Sequence, residues 1–401
     1  MGKRIRTLME GDLDWTHLIE IAVDHRVAPL LYRNLWHTCP QSVPETIFSV
    51  LRQRFLANSA RNMIMTRELF KILALFQTHR IAVMPFKGPL LAASAYGDLT
   101  LRQFDDLDLL VHREDMLKAK DLLQHHGFRP AYRMAKSLEV EYIRSQYGYD
   151  FETIDRRMRI EIHWHVTPRG FAPDLDPEDL WERSQYAPLG SFQIRGLSPE
   201  DQLLLLCVHG TKHFWRRLMW VCDIAELMRG RTSIHWPNVI RLAEKSRCRQ
   251  MLHLGLQLSR ELLGAPVPDQ VRRQVQGAAA KAGLVEEARR QLFKGSSKSP
   301  RFLENLLFQM RAKDSLLDGM MFGLRRAVSP GMEDWMFLRL PSYCRFLYFL
   351  LRPLRLIVKH VVHPVTVRLS RTVLQVNPRT GRQASTGSLV PADKGSAGER
   401  A

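Results

Sequence analysis

Residues 15–37 place Leu18, Ile21, Ala22, Val27, Leu30, Leu31 and Leu35 at three- and four-residue intervals, the period that lines one side of an α-helix. A second helical pattern covers 45–78, beyond the turn at Pro40 and Pro44, so the first 80 residues are expected to be helical. After Arg80 the texture changes. The run IAVMPFK reads as a short strand ending at Lys87-Gly88, PLLAASAY as a helix, and DLDLLV as a second strand. From Glu114 to His126 the inward positions are Met116, Leu117, Leu122 and Leu123, and Gly127 closes that helix. YGYDFETI and MRIEIHWHV alternate apolar and polar residues on either side of Asp155-Arg156-Arg157. They predict an antiparallel hairpin at about 147–166. No strand is expected beyond Pro168.

The second half is helical by pattern. Ser198-Pro199-Glu200-Asp201 is a helix start, with a hydroxyl cap, proline in the first turn and two acids behind it. Further helical patterns cover 214–229, 237–263, 269–292 and 301–324, broken at Pro266, Pro268 and the Gly-Ser-rich stretch 295–300. The last 26 residues, rich in Arg, Gly, Ser and Ala, are expected to be disordered.

Composition narrows the class. An apolar share of 45% with 25% charged residues is that of a globular chain, and 401 residues predict more than one lobe. The net charge of +18 favours polyanionic partners, but the Lys and Arg residues are scattered, and short runs such as Arg216-Arg217 read as solvated surface. Five widely spaced cysteines without a C-x-x-C pair argue against a zinc or redox motif and point to a reducing cytoplasm. The first 15 residues lack the apolar run of a signal peptide, and no stretch of about 18 apolar residues would span a membrane. Residues 343–363 combine aromatic and aliphatic groups with Arg345, Arg352, Arg355 and Lys359. Docking on the protein's own core is the expectation there, ahead of peripheral membrane contact.

The chemistry is carried by acids. Asp106 and Asp108 sit two apart on a predicted strand and so share a face. Neighbouring carboxylates repel unless a cation lies between them, which suggests Mg²⁺. Glu161, between Ile160 and Ile162 on a later strand, supplies a third carboxylate. A two-metal site needs three acids from neighbouring strands: one ion activates a hydroxyl, and the other holds the triphosphate and departing pyrophosphate. Phe86-Lys87-Gly88 just before a helix at Pro89 suits phosphate, because glycine permits close approach, the helix start offers N–H groups and Lys87 adds charge. Arg102 is within reach as a further nucleotide contact. His163 shares the face of Glu161 and could orient a carboxylate or touch substrate, as could His165 to a lesser degree. His209 and Lys212, with His213, fall on one side of a helix that could line the cleft. Asp223 reads as structural, bonded to backbone or to an arginine.

In this order and context the sequence resembles the uncharacterised nucleotidyltransferases of the polymerase-β-like superfamily. The core of the resemblance covers about 80–166: Phe86-Lys87-Gly88, Tyr96, Arg102, Asp106-Leu107-Asp108-Leu109-Leu110-Val111 and Ile160-Glu161-Ile162-His163-Trp164. Weaker likeness extends to Leu206–His209, Lys212-His213 and Leu218–Asp223, and then to Glu333-Asp334-Trp335, Pro341 and Leu350–Arg355. The resemblance implies an α+β fold, a polymerase-β-like core of mixed sheet and helices between N-terminal helices and a larger C-terminal helical region. It also implies magnesium, with two ions expected, and transfer of a nucleoside monophosphate from an NTP to a hydroxyl. The superfamily's usual Gly-Ser turn is Lys87-Gly88 here, as in the smaller family, so the serine contact to phosphate is missing.

The expected division is a helical segment at 1–79, the nucleotidyltransferase core at 80–197, a helical domain at 198–375 and a tail at 376–401. The acceptor class is a small molecule, sugar, peptide or protein, with nucleic acid second. Two other readings remain: a nucleotide-binding regulator that has lost turnover, and an RNA-modifying or toxin-like transferase.

Overall fold

The computed structural model describes residues 2–132, 134–172, 174–230, 233–276, 283–294, 302–338, 340 and 342–359. The expected tail at 376–401 lies outside the described residues. The protein is α+β: a five-stranded mixed sheet surrounded by helices. The strands are β1 (Val83–Pro85), β2 (Asp106–Val111), β3 (Phe128–Pro130), β4 (Gly148–Thr153), β5 (Arg159–His163), β6 (Gln185–Leu189) and β7 (Phe192–Gly196). The sheet order is β1-β2-β5-β4-β3, with β2 and β5 parallel and the other pairs antiparallel.

That β2 is an interior strand, between β1 and β5, follows from its sequence. Leu107, Leu109, Leu110 and Val111 are fully buried, so both faces of the strand are covered beyond its first turn of chain. The hairpin of β4 and β5 forms around the anticipated turn, with Asp150 opposite Glu161. Beyond Pro168 the expectation fails: β6 and β7 make a second, two-stranded sheet. Its alternation is hard to read because only the last residue of each strand is buried. A second miss is the helix Lys136–Ser145, whose Val140 points to solvent and blurs the apolar period.

The long helix Glu45–Thr78 lies along the sheet, burying Met65, Leu69, Ile72 and Phe76 against the core that includes Leu107, Leu109 and Val111. Pro199–Lys212 is the helix around which the other lobe assembles. The Ser198 side chain caps it by accepting from the Asp201 N–H at 3.1 Å, a cap worth about 1 kcal/mol. Leu203 to Val208 are all buried, in a core continuous with Met84, Phe86 and Leu91 at the sheet edge. The anticipated helix over 237–263 divides into Trp236–Lys245 and Arg249–Leu263, because Arg247 adopts a left-handed conformation (φ 51°).

The C-terminal segment docks differently from expectation. Helix Tyr348–Ile357, with Pro353 inside it, buries Tyr348 and Arg352, while Phe349, Leu350, Leu354 and Ile357 are exposed. Polar contacts do the holding: Arg352 and Arg355 pair with Asp334, and Arg355 also reaches Glu333. Residues 360–363 of the anticipated interfacial stretch lie outside the described residues. No helix among the described residues is long and apolar enough to cross a membrane.

Candidate active site

The parallel register of β2 and β5 sets Asp108 opposite Glu161. Asp106 lies two residues back on the same face of β2, and Asp150 stands opposite Glu161 on its other side. Four carboxylates therefore share one face at the sheet centre. Asp150 was missed in the sequence: the observed register, with Glu152 opposite Arg159, pairs it with Glu161, whereas counting outward from Asp155-Arg156-Arg157 would have set Phe151 there.

Burial and mutual repulsion perturb these acids. Burial, then the charges of Asp108 and Glu161, push Asp106 up to about 6. Asp150 is raised by burial and by Glu161. Burial would also raise Asp108, but Lys87 and His163 outweigh it and hold that carboxyl well below its usual range. Glu161 is lowered too, since His163 outweighs the effect of burial. The Lys87 ammonium lies 3.1 Å from Asp108, and these carboxylates raise it despite burial.

His163, expected to orient a carboxylate, stands beside two of them. Its Nε2 is 3.3 Å from Asp108 and 3.4 Å from Glu161, yet neither buried ring nitrogen makes a directional hydrogen bond. Burial disfavours the imidazolium, but the two carboxylates override it and push His163 up to about 9. Its ring is held edge-on to Phe86, at 5.2 Å between centroids. Gly148 makes room for it, as a Cβ there would come within 2.9 Å of His163 Nδ1. Asp108, Glu161 and His163 each offer a ligand atom, all within 4.8 Å of one another. The carboxylate oxygens suit Mg²⁺, and the cations now balancing them, Lys87 and His163, mark where positive charge is needed.

Lys87 and Gly88 form the turn from β1 into the helix beginning at Gly88. Gly88 has φ 55°, a left-handed conformation that favours glycine and lets the chain turn here beside the first residue of β2. Arg102 is engaged with protein: two of its nitrogens donate to Asp223 at 2.8 and 3.0 Å in a buried pair, which Tyr96 completes with a hydroxyl bond of 2.7 Å. Its guanidinium is held by Asp223 and does not point at open space. Asp223 has the arginine partner anticipated for it.

Lys212 donates to the Tyr147 hydroxyl at 3.2 Å, and Tyr147 packs 5.8 Å from His163, which links this helix end to the acids. His209 and His213 pack on each other and on Trp220. Burial, then neighbouring lysines, push both well below their usual range, so they are neutral. His165, half-buried, is also lowered, by burial and by Arg169.

The model of the family described as uncharacterised nucleotidyltransferase matches residues 11–264. The chain belongs to that family. It is a nucleotidyltransferase, and the match spans the N-terminal helices, the sheet and the first helices of the C-terminal helical region. No curated protein matches the chain. Among solved structures it is similar to the antibiotic-resistance factor ANT(2'')-Ia in solution, at 15% identity over 51% of this chain and 96% of that one, with a TM-score of 0.32. A crystal structure of ANT(2'')-Ia in complex with adenylyl-2''-tobramycin gives 17%, 46%, 98% and 0.30. An antigenic nucleotidyltransferase-like protein from Paracoccidioides brasiliensis gives 14%, 51%, 88% and 0.29.

Proposed function

We propose that this nucleotidyltransferase is Mg²⁺-dependent and moves a nucleoside monophosphate from an NTP to a hydroxyl of an acceptor, with Asp106, Asp108 and Glu161 as the metal-holding acids. The observation that carries this reading is the β2–β5 register, which seats Asp108 beside Glu161 on the face that also holds Asp106. In the reaction the acceptor oxygen bonds to the α-phosphorus as the α–β phosphoanhydride bond breaks. Pyrophosphate leaves, and the hydroxyl proton passes to solvent or a neighbouring base. Bound Mg²⁺ would activate the hydroxyl and neutralise charge on the phosphates.

The chain's own residues do the positioning. Asp106, Asp108 and Glu161 set the anionic cradle. His163, clamped by Phe86 and Gly148, fixes the directions of Asp108 and Glu161 or joins them as a ligand. Lys87, now paired with Asp108, would present its charge to phosphate from the Gly88 turn were cations to take its place beside that carboxylate. We assign this chemistry to residues 80–197, with 1–79 and the helical region at 198–375 flanking it and shaping the acceptor side. A small molecule, sugar, peptide or protein hydroxyl is the acceptor class we favour, and the cysteine usage fits a reducing cytoplasm.

The test is pyrophosphate release from NTPs, with and without Mg²⁺, in the presence of fractionated cell-extract acceptors. Metal-dependent release coupled to labelling of one fraction supports the reading. Release that is indifferent to chelator and to Asp108→Asn would sink it.

A further inference from the structure

Outside the acid cluster, a cavity of about 270 Å³ is lined by Val23, Asp24, Arg26, Gln103, Arg216 and Arg217. Three guanidinium groups and one carboxylate give this lining a net charge of +2 (three minus one). It is built by two strained turns. Arg26 itself has φ 57°, and Phe214 and Trp215, immediately before the arginine pair, have φ 57° and 50°. A left-handed backbone is unfavourable for residues with side chains, and such strain persists where surrounding contacts impose it, often at ligand sites. Here the contacts are on view. Trp215 is fully buried over Gly210, where a Cβ would come within 2.5 Å of its ring. The two turns are tied together at His25, whose carbonyl accepts from the Met219 N–H at 3.2 Å and whose Nδ1 accepts from the Leu218 N–H at 3.1 Å. Burial lowers His25, which keeps that nitrogen available as an acceptor.

The cavity adjoins the acids. Arg26 pairs with Asp105, the residue before Asp106, and Arg61 reaches Asp105 at 3.2 Å. Arg26 and Arg217 both feel the charge of Asp106. Burial, followed by the charges of Arg26 and Arg216, pulls Arg217 down to about 10, a sign of cations crowded together. Guanidinium forks match phosphate oxygens in pairs and are suited to partly buried polyanions.

We propose that this three-arginine cavity is a subsite for the terminal phosphates of the nucleotide, contributed by segments on either side of the sheet domain. The proposal rests on the nucleotidyl-transfer reading above. A polyphosphate end brings several negative charges to a place where three cations converge beside the metal-holding strand. The α-phosphate is left to the Asp106, Asp108 and Glu161 cluster.

The test is calorimetric titration of the full chain with ATP, AMP and inorganic tripolyphosphate, comparing wild type with Arg217→Ala and Arg26→Ala. Charged hydrogen bonds of this kind are worth about tenfold or more in affinity each. ATP and tripolyphosphate should therefore bind about tenfold more weakly to Arg217→Ala, with AMP unchanged and Arg217→Lys partly restored. Arg26→Ala also breaks the pair with Asp105, so its melting temperature is measured alongside, and Arg217→Gln replaces it if it fails to fold. Wild-type affinity of the Arg217 variants for tripolyphosphate overturns the subsite, as does an equal loss for ATP and AMP. Asp108→Asn separates the two proposals: in chelator it should still bind tripolyphosphate, and loss of turnover there speaks only to the metal site.

Discussion

At the scale of single residues, the site stores electrostatic tension that pH can read. Asp106 titrates near 6 in the fold against an ordinary 3.8, so the folded chain holds that proton more tightly than the unfolded chain does. Its contribution to stability is complete below pH 3.8 and is lost as pH rises to about 6. Asp150, also raised, acts in the same direction. In chelator, the melting temperature should fall between pH 4 and 6 by more in wild type than in Asp106→Asn. Saturating Mg²⁺ should reverse the slope, because bound cations favour the ionised acids. Identical slopes in wild type and variant would show that Asp106 is not under this strain. The same carboxylates predict the catalytic effect: Asp106→Ala or Asp108→Ala should cut turnover by about a hundredfold or more, with the circular dichroism spectrum unchanged.

Arg102 and Asp223 make the opposite kind of residue-scale case. Their pair is buried and bidentate, and Tyr96 adds a third bond. Removing one partner strands a charge in the interior, at a cost of about 3–5 kcal/mol. Arg102→Ala and Asp223→Ala should both show that loss in denaturant titrations, and a double replacement should cost less than the sum. A nucleotide role for Arg102 would appear instead as a raised KM for NTP in a variant of wild-type stability.

At the scale of elements, what could be read in the sequence depended on how regular the burial is. The β4–β5 hairpin was legible because buried Tyr149, Phe151, Ile160 and Ile162 alternate with more exposed residues. Asp106, Asp108 and Glu161 were legible as acids set among leucines and isoleucines on strands. The β6–β7 ribbon was not, because most of its side chains face outward and leave no period to detect. Neither was the Arg26, Arg216 and Arg217 cavity, which depends on two left-handed turns and on contacts nearly 200 residues apart. The clamp on His163 lies between these extremes: the histidine was visible in sequence, but its seat against Gly148 was not. Gly148→Ala should displace the ring, since the new methyl would lie 2.9 Å from Nδ1. Turnover should drop by about 10–100-fold, the range for groups that orient metal ligands, while the strand pairing persists in hydrogen exchange. Unaltered turnover would leave the clamp with a packing role alone.

At the scale of the molecule, the sheet is braced from both ends of the chain. The N-terminal helices contribute Arg26 and Arg61 to Asp105, and residues around Pro330 and Trp335 contact the end of the helix Lys136–Ser145 that precedes β4. Trp335 packs 5.8 Å from Tyr142, and Gln146 donates to the Pro330 carbonyl at 3.4 Å. Asp334 anchors this segment, being buried, pairing with Arg352 and Arg355, and accepting from the Gly331 N–H at 2.7 Å. With Phe349, Leu350 and Leu354 turned outward, the helix Tyr348–Ile357 is held by the buried Tyr348, whose hydroxyl donates to the Leu338 carbonyl and accepts from the Leu340 N–H, by Arg355 and Lys359 on Glu333, and by the Asp334 carboxylate. Asp334→Ala leaves Arg352 buried without its partner, which costs about 3–5 kcal/mol locally. Asp334 joins Arg352, Arg355 and Gly331 at one point, so its loss should let the segment open ahead of the sheet. Hydrogen exchange over 332–357 should accelerate by orders of magnitude in Asp334→Ala, while exchange in β2 and β5 stays at the wild-type rate. If the strands accelerate together with the segment, the C-terminal region is part of one cooperative fold with the sheet, and its removal would unfold the active site rather than merely uncover the helix Lys136–Ser145.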